Sequence, residues 1–436
     1  MPGTAIVGLQ WGDEAKGKIV DLLTGQHDIV VRYQGGANAG HTVVADGQEF
    51  KLSLIPSGIF RPAVQCVIAA GVVLNPSAIL KEIKTLTSQG VAVGKNLMIS
   101  DRAHVIFPWH QVEDRILDNI AGGEAIGTTM RGIGPCYQDK VGRSLAVRFG
   151  DLFKPGLKEH IATIVGVKNR LFDGLTQNLD NTMGLAGLDV ELDADVIYEE
   201  YAGYVEQLRP FVADTTNYLL DAVDADKRIL FEGAQGSLLD IDYGTFPYVT
   251  SSNSSAVGIT SGSGVPPHFL KKIIGIVKAY TTRVGGGPCP TEQHNDIGDK
   301  IRSRGKEYGT VTHRPRRCGW FDAVAVRYTA RLGGVDVLSI MLLDVLSTFD
   351  TLEICVAYEL DGKRLTSFPS QTDDLRRVKP IYETLPGWKE EINEIRKFDD
   401  LPENAKNYVK RIGQLIGKPI EIVSVGPDRN QTILVS

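Results

Sequence analysis

Short apolar runs alternate with helical stretches along most of the chain. The first run, residues 5–9, leads into a glycine-rich turn, and residues 16–23 are then predicted to begin a helix. Continuous apolar runs bounded by turn residues are typical of strands that are buried on both faces of a parallel sheet. Further strands are predicted at residues 28–33, 66–70, 97–100, 105–107, 228–233, 271–280, 335–343, 352–358 and 420–425. Further helices are predicted at residues 75–87, 109–120, 320–332 and 403–416.

This alternation predicts an α/β fold with a large, mainly parallel central β-sheet flanked by helices, a P-loop-like N-terminal βα turn, and helical and small β excursions. Asp46-Gly47 and Asp361-Gly362 are typical hairpin turns. Residues 154–220 are interpreted as a helical excursion that covers the sheet. Length alone would also allow about three domains of average size. Since no linker or repeat divides the chain, we expect a single domain over residues 1–436.

Polar, glycine-rich loops follow several of the predicted strands. The carboxyl ends of parallel strands meet at one edge of a sheet, where α/β proteins bind their ligands. The sequence therefore predicts one site along that edge. The loops are residues 10–18, 34–42, 125–137, 234–236, 249–253, 281–288 and 308–320.

The first of these loops has the features of a phosphate-binding turn. Gly12 to Lys18 matches G-x-x-x-x-G-K, and the predicted helix behind it directs backbone N–H groups toward one point. Ile19 stands where a P-loop has the Ser or Thr that ligates magnesium. Asp13 adds a negative charge inside the loop, which indicates a bound cation or a role in proton transfer. The alternatives are a tight turn without a ligand and a carboxylate that caps the helix.

Three other loops carry candidate functional side chains. His41, in the second glycine-rich loop, is either a neutral donor or proton shuttle, or an ordinary structural histidine. Arg314, Arg316 and Arg317 crowd one loop, and guanidinium groups this close repel one another unless an anion is present. The alternative for these arginines is a solvated basic face. Asp344, at a predicted strand end, either accepts the paired N–H donors of a guanine edge or caps a local turn.

Composition narrows the class of protein. The chain has 436 residues, of which 42% are hydrophobic and 23% charged, and its formal net charge is −6. These values are ordinary for a globular protein and give no reason to expect nucleic-acid or membrane partners. No apolar run approaches membrane-spanning length, and the N-terminus lacks a signal-peptide pattern. The five cysteines are scattered without C-x-x-C spacing, so we expect a cytoplasmic protein with reduced thiols and no structural zinc.

Six motifs, in this order from the first strand onward, resemble those of the adenylosuccinate synthetase family. They are Gln10-Trp-Gly-Asp-Glu-Ala-Lys-Gly-Lys18, Gln34-Gly-Gly-Ala-Asn-Ala-Gly-His-Thr42, Gly127-Thr-Thr-Met-Arg-Gly-Ile-Gly-Pro135, Phe231-Glu-Gly-Ala-Gln-Gly236, Val249-Thr-Ser-Ser-Asn253 and Arg314-Pro-Arg-Arg-Cys-Gly-Trp-Phe-Asp322.

The resemblance implies GTP-dependent ligation of L-aspartate to inosine monophosphate (IMP). The products would be adenylosuccinate, GDP and phosphate, formed through a 6-phosphoryl-IMP intermediate in the first committed step of AMP synthesis from IMP. The implied partners are GTP as co-substrate, one Mg²⁺ per subunit, and a second copy of the chain in a homodimer. Arg143 would reach the site of the neighbouring subunit.

The resemblance also implies roles for individual residues. Asp13 would take the N1 proton of IMP, His41 would donate to the phosphate, and Lys16 would neutralise transferred charge, with Gln235 also catalytic. Asp13 and the carbonyl of Gly40 would hold the metal. The implied GTP-binding residues are Gly12, Asp13, Glu14, Ala15, Lys16, Gly17, Lys18, Gly40, His41, Thr42, Arg316, Leu342, Leu343, Asp344, Ser424, Val425 and Gly426. The implied IMP-binding residues are Asp13, Glu14, Ala15, Lys16, Asn38, Ala39, Gly40, His41, Thr129, Arg143, Gln235, Thr250 and Arg314. The implied aspartate-binding residues are Thr310, Val311, Thr312, His313, Arg314, Pro315 and Arg316.

Four positions depart from the family pattern. Ala15 replaces the usual loop glycine, which restricts φ there. Val311 and His313 stand in the implied aspartate loop where the family commonly has Thr and Gly, and Leu342 stands where some members have Lys. Two other functions stay open from the sequence. One is a paralogue of the same fold that joins a different amino acid or purine nucleotide, and the other is a non-catalytic GTP-binding switch.

Overall fold

The structure, a computed structural model, describes residues 2–45, 48–120, 126–176, 191–309 and 315–435, with the side chains of residues 41, 42, 44 and 45 left out. The helices of these ranges are α1 (Lys16–Thr24), α2 (Pro76–Ser88), α3 (Pro108–Ile120), α4 (Ile133–Gly142), α5 (Leu157–Thr176), α6 (Ala194–Leu208), α7 (Thr215–Asp224), α8 (Gly258–Ser263), α9 (Asp296–Gly305), α10 (Ala323–Leu332), α11 (Thr372–Arg377) and α12 (Glu403–Ile416). The strands are β1 (Gly3–Gly8), β2 (Ile29–Arg32), β3 (His41–Ala45), β4 (Gln48–Leu52), β5 (Gln65–Ile68), β6 (Val73–Leu74), β7 (Leu97–Ser100), β8 (His104–Val105), β9 (Val212–Ala213), β10 (Ile229–Gly236), β11 (Leu270–Lys278), β12 (Thr281–Arg283), β13 (Arg317–Gly319), β14 (Phe321–Asp322), β15 (Val337–Met341), β16 (Thr351–Leu360), β17 (Lys363–Leu365), β18 (Lys379–Pro386), β19 (Ile420–Ser424) and β20 (Thr432–Leu434).

Ten of these strands form one central sheet in the order β20-β19-β15-β11-β1-β10-β2-β5-β7-β9. Neighbouring strands run parallel throughout, except that β20 is antiparallel to β19. Strands β14, β16, β17 and β18 form a smaller second sheet. The predicted α/β fold with a large, mainly parallel sheet is therefore confirmed.

The first strand is buried on both of its faces. Ala5 and Val7 belong to one core cluster, whereas Ile6 belongs to another that includes Ile19 and Val20 of α1. Successive side chains of a strand point to opposite faces, so a strand covered on both sides is a continuous apolar run. Ile19 is a core residue, which accounts for an apolar side chain where a P-loop has Ser or Thr.

The strand order brings together loops that lie far apart in the sequence. β19, β15, β11, β1, β10 and β2 are consecutive neighbours in the sheet. Their carboxyl ends lead into the segments that begin at residues 425, 342, 279, 9, 237 and 33. The predicted loops at residues 10–18, 34–42 and 281–288 therefore lie at one edge of the sheet as expected, whereas residues 234–236, predicted as a loop, are the end of β10.

Helices α5 and α6 lie inside the predicted helical excursion. They pack against each other, and their buried side chains share a core cluster with strands β5 and β7. No described helix is long and apolar enough to cross a membrane.

Several predicted boundaries are wrong. The last residues of the loop predicted at residues 125–137 belong to α4, which begins at Ile133. Pro135 lies in the first turn of α4, where a helix tolerates proline. The helix predicted at residues 320–332 begins at Ala323, since the Asp322 carboxylate accepts the N–H groups of two residues of the first turn. The strand predicted at residues 335–343 is shorter in the structure, where β15 spans Val337–Met341.

Other elements were not predicted or are described only in part. The helices α8, α9 and α11 and the strands β6, β9, β12, β13, β14, β18 and β20 were missed. Asp361 and Gly362 both have positive φ between the paired strands β16 and β17, which confirms that hairpin turn. Strands β3 and β4 pair as predicted, but their turn, Asp46-Gly47, lies outside the described residues.

Candidate active site

A cavity of about 1010 Å³ lies at the carboxyl edge of the central sheet. It is lined by loops that follow β1, β2, β10 and β11, together with the N-terminal part of α4 and the residues that follow α9. The sequence-predicted site residues along its wall are Gly12, Asp13, Glu14, Ala15, Lys16, Gly17, Asn38, Ala39, Gly40, Thr129, Gln235, Thr250, Arg316 and Leu342.

The first loop holds two residues in the left-handed region that favours glycine. Asp13 has φ 58°, and Ala15 has φ 61° and ψ 35°. Such a conformation costs a non-glycine residue roughly 1–2 kcal/mol and tends to occur at functional sites. Ala15 is the residue before α1, and no side chain caps that helix, so the helix-cap alternative for Asp13 is wrong.

Glu14 is buried, and its carboxylate holds the loop together. One of its oxygens accepts the N–H groups of Gln10 at 3.1 Å and Gly12 at 2.9 Å. Its other oxygen lies 2.6 Å from the ammonium of Lys16. A Cβ atom at Gly236 would approach the backbone carbonyl oxygen of Gln10 to 2.2 Å and the Glu14 carboxylate to 2.6 Å, so this strand end needs glycine. Glu14 thus fixes both the loop and the charge of Lys16.

Asp13 faces the cavity beside an arginine. Its Oδ2 atom lies 2.8 Å from Nε of Arg316, and about a third of the Asp13 side chain is exposed. The buried Nε lacks a hydrogen-bond partner, so this contact is an ion pair without hydrogen-bond geometry. The second carboxylate of Arg316 is Glu307, which accepts a hydrogen bond from Nη1 at 2.6 Å. The Arg316 guanidinium group therefore places a positive charge beside Asp13, in addition to that of any metal ion bound there.

Two predicted nucleotide contacts have polar atoms without partners. The side-chain nitrogen of Gln235 donates to Asn38 Oδ1 at 3.0 Å, whereas Gln235 Oε1 is buried and has no partner. The hydroxyl of Thr250 is buried without a partner as well. Buried polar groups are normally hydrogen-bonded, so unpaired ones in a cavity wall indicate a polar ligand.

Lys18 does not line the cavity. Its ammonium donates to Ser424 Oγ at 2.7 Å and to the carbonyls of Gly426 at 2.7 Å and Gln431 at 3.0 Å. Burial lowers the pKa of Lys18 to about 8, although Asp344 and Asp428 oppose that shift. The side chain therefore ties the phosphate-loop helix to the segment after β19 and is not directed at a phosphate in the cavity.

Asp344 lies close to this tie, just after β15. Its Oδ2 accepts a long hydrogen bond from Asn393 at 3.5 Å, and its Oδ1 is buried without a partner. Burial raises the pKa of this carboxyl group above its ordinary value. An unpaired acceptor at a strand end is suited to a ligand that presents N–H donors.

Some predicted residues lie apart from the cavity or outside the described ranges. Arg143 is exposed at the C-terminal end of α4 and does not line it. Leu343, Asp344, Ser424, Val425, Gly426 and Pro315 do not line it either. The side chains of His41 and Thr42, and Thr310, Val311, Thr312, His313 and Arg314, lie outside the described residues.

Sequence reasoning missed several charged or aromatic side chains of the wall. Among them, Lys278, Glu307, Arg283 and Tyr248 are all buried. Arg283 donates to the carbonyls of Pro288 at 2.7 Å and Tyr248 at 3.1 Å, which links two of the loops. A signal was available for Lys278, because a lysine ending a buried parallel strand is unusual.

The residues present fit a magnesium ion. Mg²⁺ is usually held by one or two carboxylates together with substrate phosphates and water. The cavity offers the partly exposed Asp13 carboxylate and the backbone of Gly40 near the phosphate loop. No group of three His, Cys, Asp or Glu side chains that could hold a metal occurs in the described part of the chain, so the substrate would have to complete the coordination.

Together, the sheet edge, the glycine turn before α1 and the charged cavity define an enzyme that handles nucleotide phosphates. Residues 5–433 match the family model for adenylosuccinate synthetase. The fold is similar to that of the fully ligated adenylosuccinate synthetase from Plasmodium falciparum, with a TM-score of 0.89, 36% identity and 100% of both chains covered. It also resembles the succinoaminodeoxyadenylate synthetase of cyanophage S-2L bound to dGMP and dATP, with a TM-score of 0.60 and 19% identity over 99% of this chain and 94% of that chain.

The chain belongs to the adenylosuccinate synthetase family. It is a ligase of purine biosynthesis that uses GTP to join L-aspartate to IMP. The likeness to the phage enzyme shows the shared fold alone, because its identity is low.

Proposed function

We propose that Asp13 is the general base of this reaction. Its carboxylate would take the proton from N1 of IMP, and the electron pair would move to O6, which attacks the γ-phosphate of GTP and displaces GDP. The observation that carries the proposal is the strained Asp13, whose carboxylate faces the cavity beside Arg316. Strain of this kind persists only where the surrounding structure enforces it, as at active sites.

The second step would replace the new phosphate group by aspartate. The amine of aspartate attacks C6 of 6-phosphoryl-IMP, and phosphate leaves with the C–O bonding pair. Phosphate is a far better leaving group than hydroxide, so the intermediate divides one difficult substitution into two easier ones. Arg316, with Thr310 to Pro315, would bind the substrate's carboxylate, because a guanidinium group matches a carboxylate in charge and geometry.

Charge on the transferring phosphate would be balanced by groups already held in place. The Lys16 ammonium is oriented by Glu14 at 2.6 Å, and α1, which begins at Lys16, would add the positive end of its helix dipole. His41 would add a donor. Asp13 and the carbonyl of Gly40 would hold Mg²⁺, which when bound supplies positive charge to the phosphates.

The nucleotide would lie across the neighbouring strand ends. Asn38, Thr129, Gln235, Thr250 and Arg314 would contact IMP, and the unpaired oxygens of Gln235 and Thr250 support this assignment. The guanine base of GTP would lie at Asp344, whose unpaired oxygen accepts N–H donors. Its remaining contacts would come from Leu342, Leu343, Ser424, Val425 and Gly426.

Arg143 would complete the IMP site of a second copy of the chain. The support is its position: it is exposed at the end of α4 and does not reach the cavity of its own chain.

The proposed single-domain organisation rests on a central sheet whose strands come from residues 3 to 434. The cytoplasmic location rests on five free cysteines, all of them buried.

Positional isotope exchange tests the order of the two steps. GTP carries a heavy oxygen isotope in the bridge between its β and γ phosphorus atoms, and the enzyme receives IMP and Mg²⁺ without aspartate. If O6 attacks first, reversible transfer lets the β-phosphate of bound GDP rotate, and the label moves to a non-bridging position. We expect this movement in the unmodified protein and its loss in Asp13→Asn.

Asp28→Asn is the matched control, since Asp28 forms a comparable ion pair with Arg228 on the surface, away from the cavity. It should exchange the label at the unmodified rate. Product formation with aspartate but no label movement without it would overturn the proposed order.

A further inference from the structure

A buried carboxylate lies directly behind Arg316. Glu307 Oε2 accepts a hydrogen bond from Arg316 Nη1 at 2.6 Å, and Glu307 Oε1 lies 2.6 Å from Lys278 Nζ and 2.5 Å from the hydroxyl of Tyr280. Only 1% of the Glu307 side chain is exposed. Burial alone would raise the pKa of Glu307, but Lys278 and Arg316 outweigh it and hold the pKa below its ordinary value. Glu307 is therefore an ionised group between two cations.

Glu307 also holds the backbone of Arg316. The N–H group of Arg316 donates to the carbonyl of Glu307 at 2.9 Å, and the carbonyl of Arg316 accepts from Arg302 Nε at 2.9 Å. Residues 307 and 316 flank the implied aspartate loop, so their backbone and side-chain contacts close that loop at its base. Lys278, the last residue of β11, holds the Glu307 end of this pair directly.

The two carboxylates of Arg316 differ in the quality of their contacts. Glu307 makes a hydrogen bond with Nη1, whereas Asp13 makes an ion pair without hydrogen-bond geometry. Glu307 is also far more deeply buried than Asp13. The orientation of the guanidinium group is thus set by Glu307, and Asp13 is left available to a ligand in the cavity.

We propose that Glu307 is a positioning residue for the aspartate substrate, because it holds the guanidinium group of Arg316 at the cavity with Lys278 as its counter-charge. The inference rests on the proposed binding of the substrate's carboxylate by Arg316. A carboxylate bound to a misplaced guanidinium group loses a charge-assisted hydrogen bond, which is about a tenfold to hundredfold loss of affinity.

Glu307→Gln tests the proposal, since it keeps the length of the side chain and removes its charge. We expect the KM for aspartate to rise about tenfold or more, while the KM for IMP stays within about twofold. Glu307→Asp keeps the charge but withdraws the carboxylate, and it should give an intermediate rise. If Glu307→Gln fails to fold, Glu307→Asp decides the matter, and an unchanged KM for aspartate in that variant overturns the proposal.

A double-mutant cycle separates a positioning role from a structural one. In an Arg316→Lys background, adding Glu307→Gln should change the KM for aspartate by less than about twofold, because the group through which Glu307 acts is already altered. The matched control is Glu113→Gln, which removes an equally buried ion pair, with Lys168 at 2.7 Å. Its effects should be additive with Arg316→Lys. Additivity for Glu307→Gln too would overturn the proposal.

The outcomes distinguish the two proposals. If Arg316→Lys alone leaves the KM for aspartate unchanged, the proposed binding by Arg316 is wrong. If Arg316→Lys raises it and Glu307→Gln does not, only the positioning role of Glu307 is wrong.

Discussion

Two networks of buried charges in this protein have similar composition and different surroundings. In the open network, Lys278, Glu307, Arg316 and Asp13 follow one another at 2.6 to 2.8 Å, and all four line the cavity. In the closed network, Lys168 lies 2.7 Å from Glu113 and 3.0 Å from Asp139, which lies 3.0 Å from His110. None of these four residues lines the cavity.

The closed network satisfies its own groups. His110 Nδ1 accepts the N–H of Phe107 at 2.9 Å, and His110 Nε2 lies 3.0 Å from Asp139 Oδ2 and 3.1 Å from the indole nitrogen of Trp109. Burial lowers the pKa of His110, in spite of Asp139, and keeps the ring neutral. The open network instead ends in Asp13, strained and partly exposed. Burial and charge are common to both networks, so the open end in the cavity is what distinguishes the functional one.

Loss of Asp13 should have the largest effect. In Asp13→Ala, turnover should fall about a thousandfold or more, because a general base contributes roughly 10²–10⁴ and the implied metal ligand is removed as well. GTP binding should be largely kept. Steady-state kinetics and equilibrium binding of GTP measure both quantities. Undiminished turnover would show that the open end is not where the chemistry occurs.

The closed network should affect stability rather than activity. Lys168→Met leaves Glu113 and Asp139 buried without a cation and should lower the free energy of unfolding by about 3 kcal/mol. Urea unfolding measures this, and kcat and KM of the folded fraction should stay within about twofold. Lys158→Met, which removes an exposed pair with Asp195, is the control and should leave the free energy of unfolding nearly unchanged. A tenfold change in KM without loss of stability would erase the distinction between the networks.

His104, close to the closed network, should make stability depend on pH. Burial lowers the pKa of His104 to about 4, with help from Lys140 and Arg148. The unfolded chain binds the proton at about pH 6.5, so the contribution of neutral His104 is complete above that pH and is lost as pH falls toward 4. In His104→Gln this loss should shrink by about 1–2 kcal/mol, measured by urea unfolding at pH 7 and pH 4.5. An equal loss of stability between pH 7 and pH 4.5 in both proteins would show that His104 is not held neutral in the folded protein.

Ala15→Gly, in the loop that carries Asp13 of the open network, should have the smallest effect on the free energy of unfolding. Glycine relieves the left-handed strain but increases the flexibility of the unfolded chain, so a net gain of about 0.5 kcal/mol is expected. The midpoint of thermal unfolding reports it, with Ala92→Gly in a surface loop as the control. A clear loss of stability would mean that the methyl group of Ala15 makes contacts that outweigh the strain.

The sequence predicted those parts of the site that are local. The run from β1 through Gly12 to α1 is one short segment whose apolar and glycine positions determine its form. The grouping of loops at the sheet edge also followed, because parallel strands align their carboxyl ends. Ala15, unexplained in the sequence, is a left-handed residue just before α1.

The sequence could not predict the contacts between distant segments. Lys278 ends β11 and Glu307 follows α9, and neither belongs to a motif. In the sequence Lys18 matches the lysine of a phosphate-binding loop, whereas in the structure its ammonium donates to Ser424 and Gly426. Such pairings depend on strand order, which apolar periodicity does not determine. The start of α4 was missed for a simpler reason, since its glycines and proline are typical of loops.

Product formation by the purified protein with IMP, GTP, aspartate and Mg²⁺ tests the ligase activity most directly. We expect adenylosuccinate, GDP and phosphate in equal amounts, and no adenylosuccinate when any of the three substrates is omitted. Product formation only with another amino acid or another purine nucleotide, or GTP bound without turnover, would contradict it.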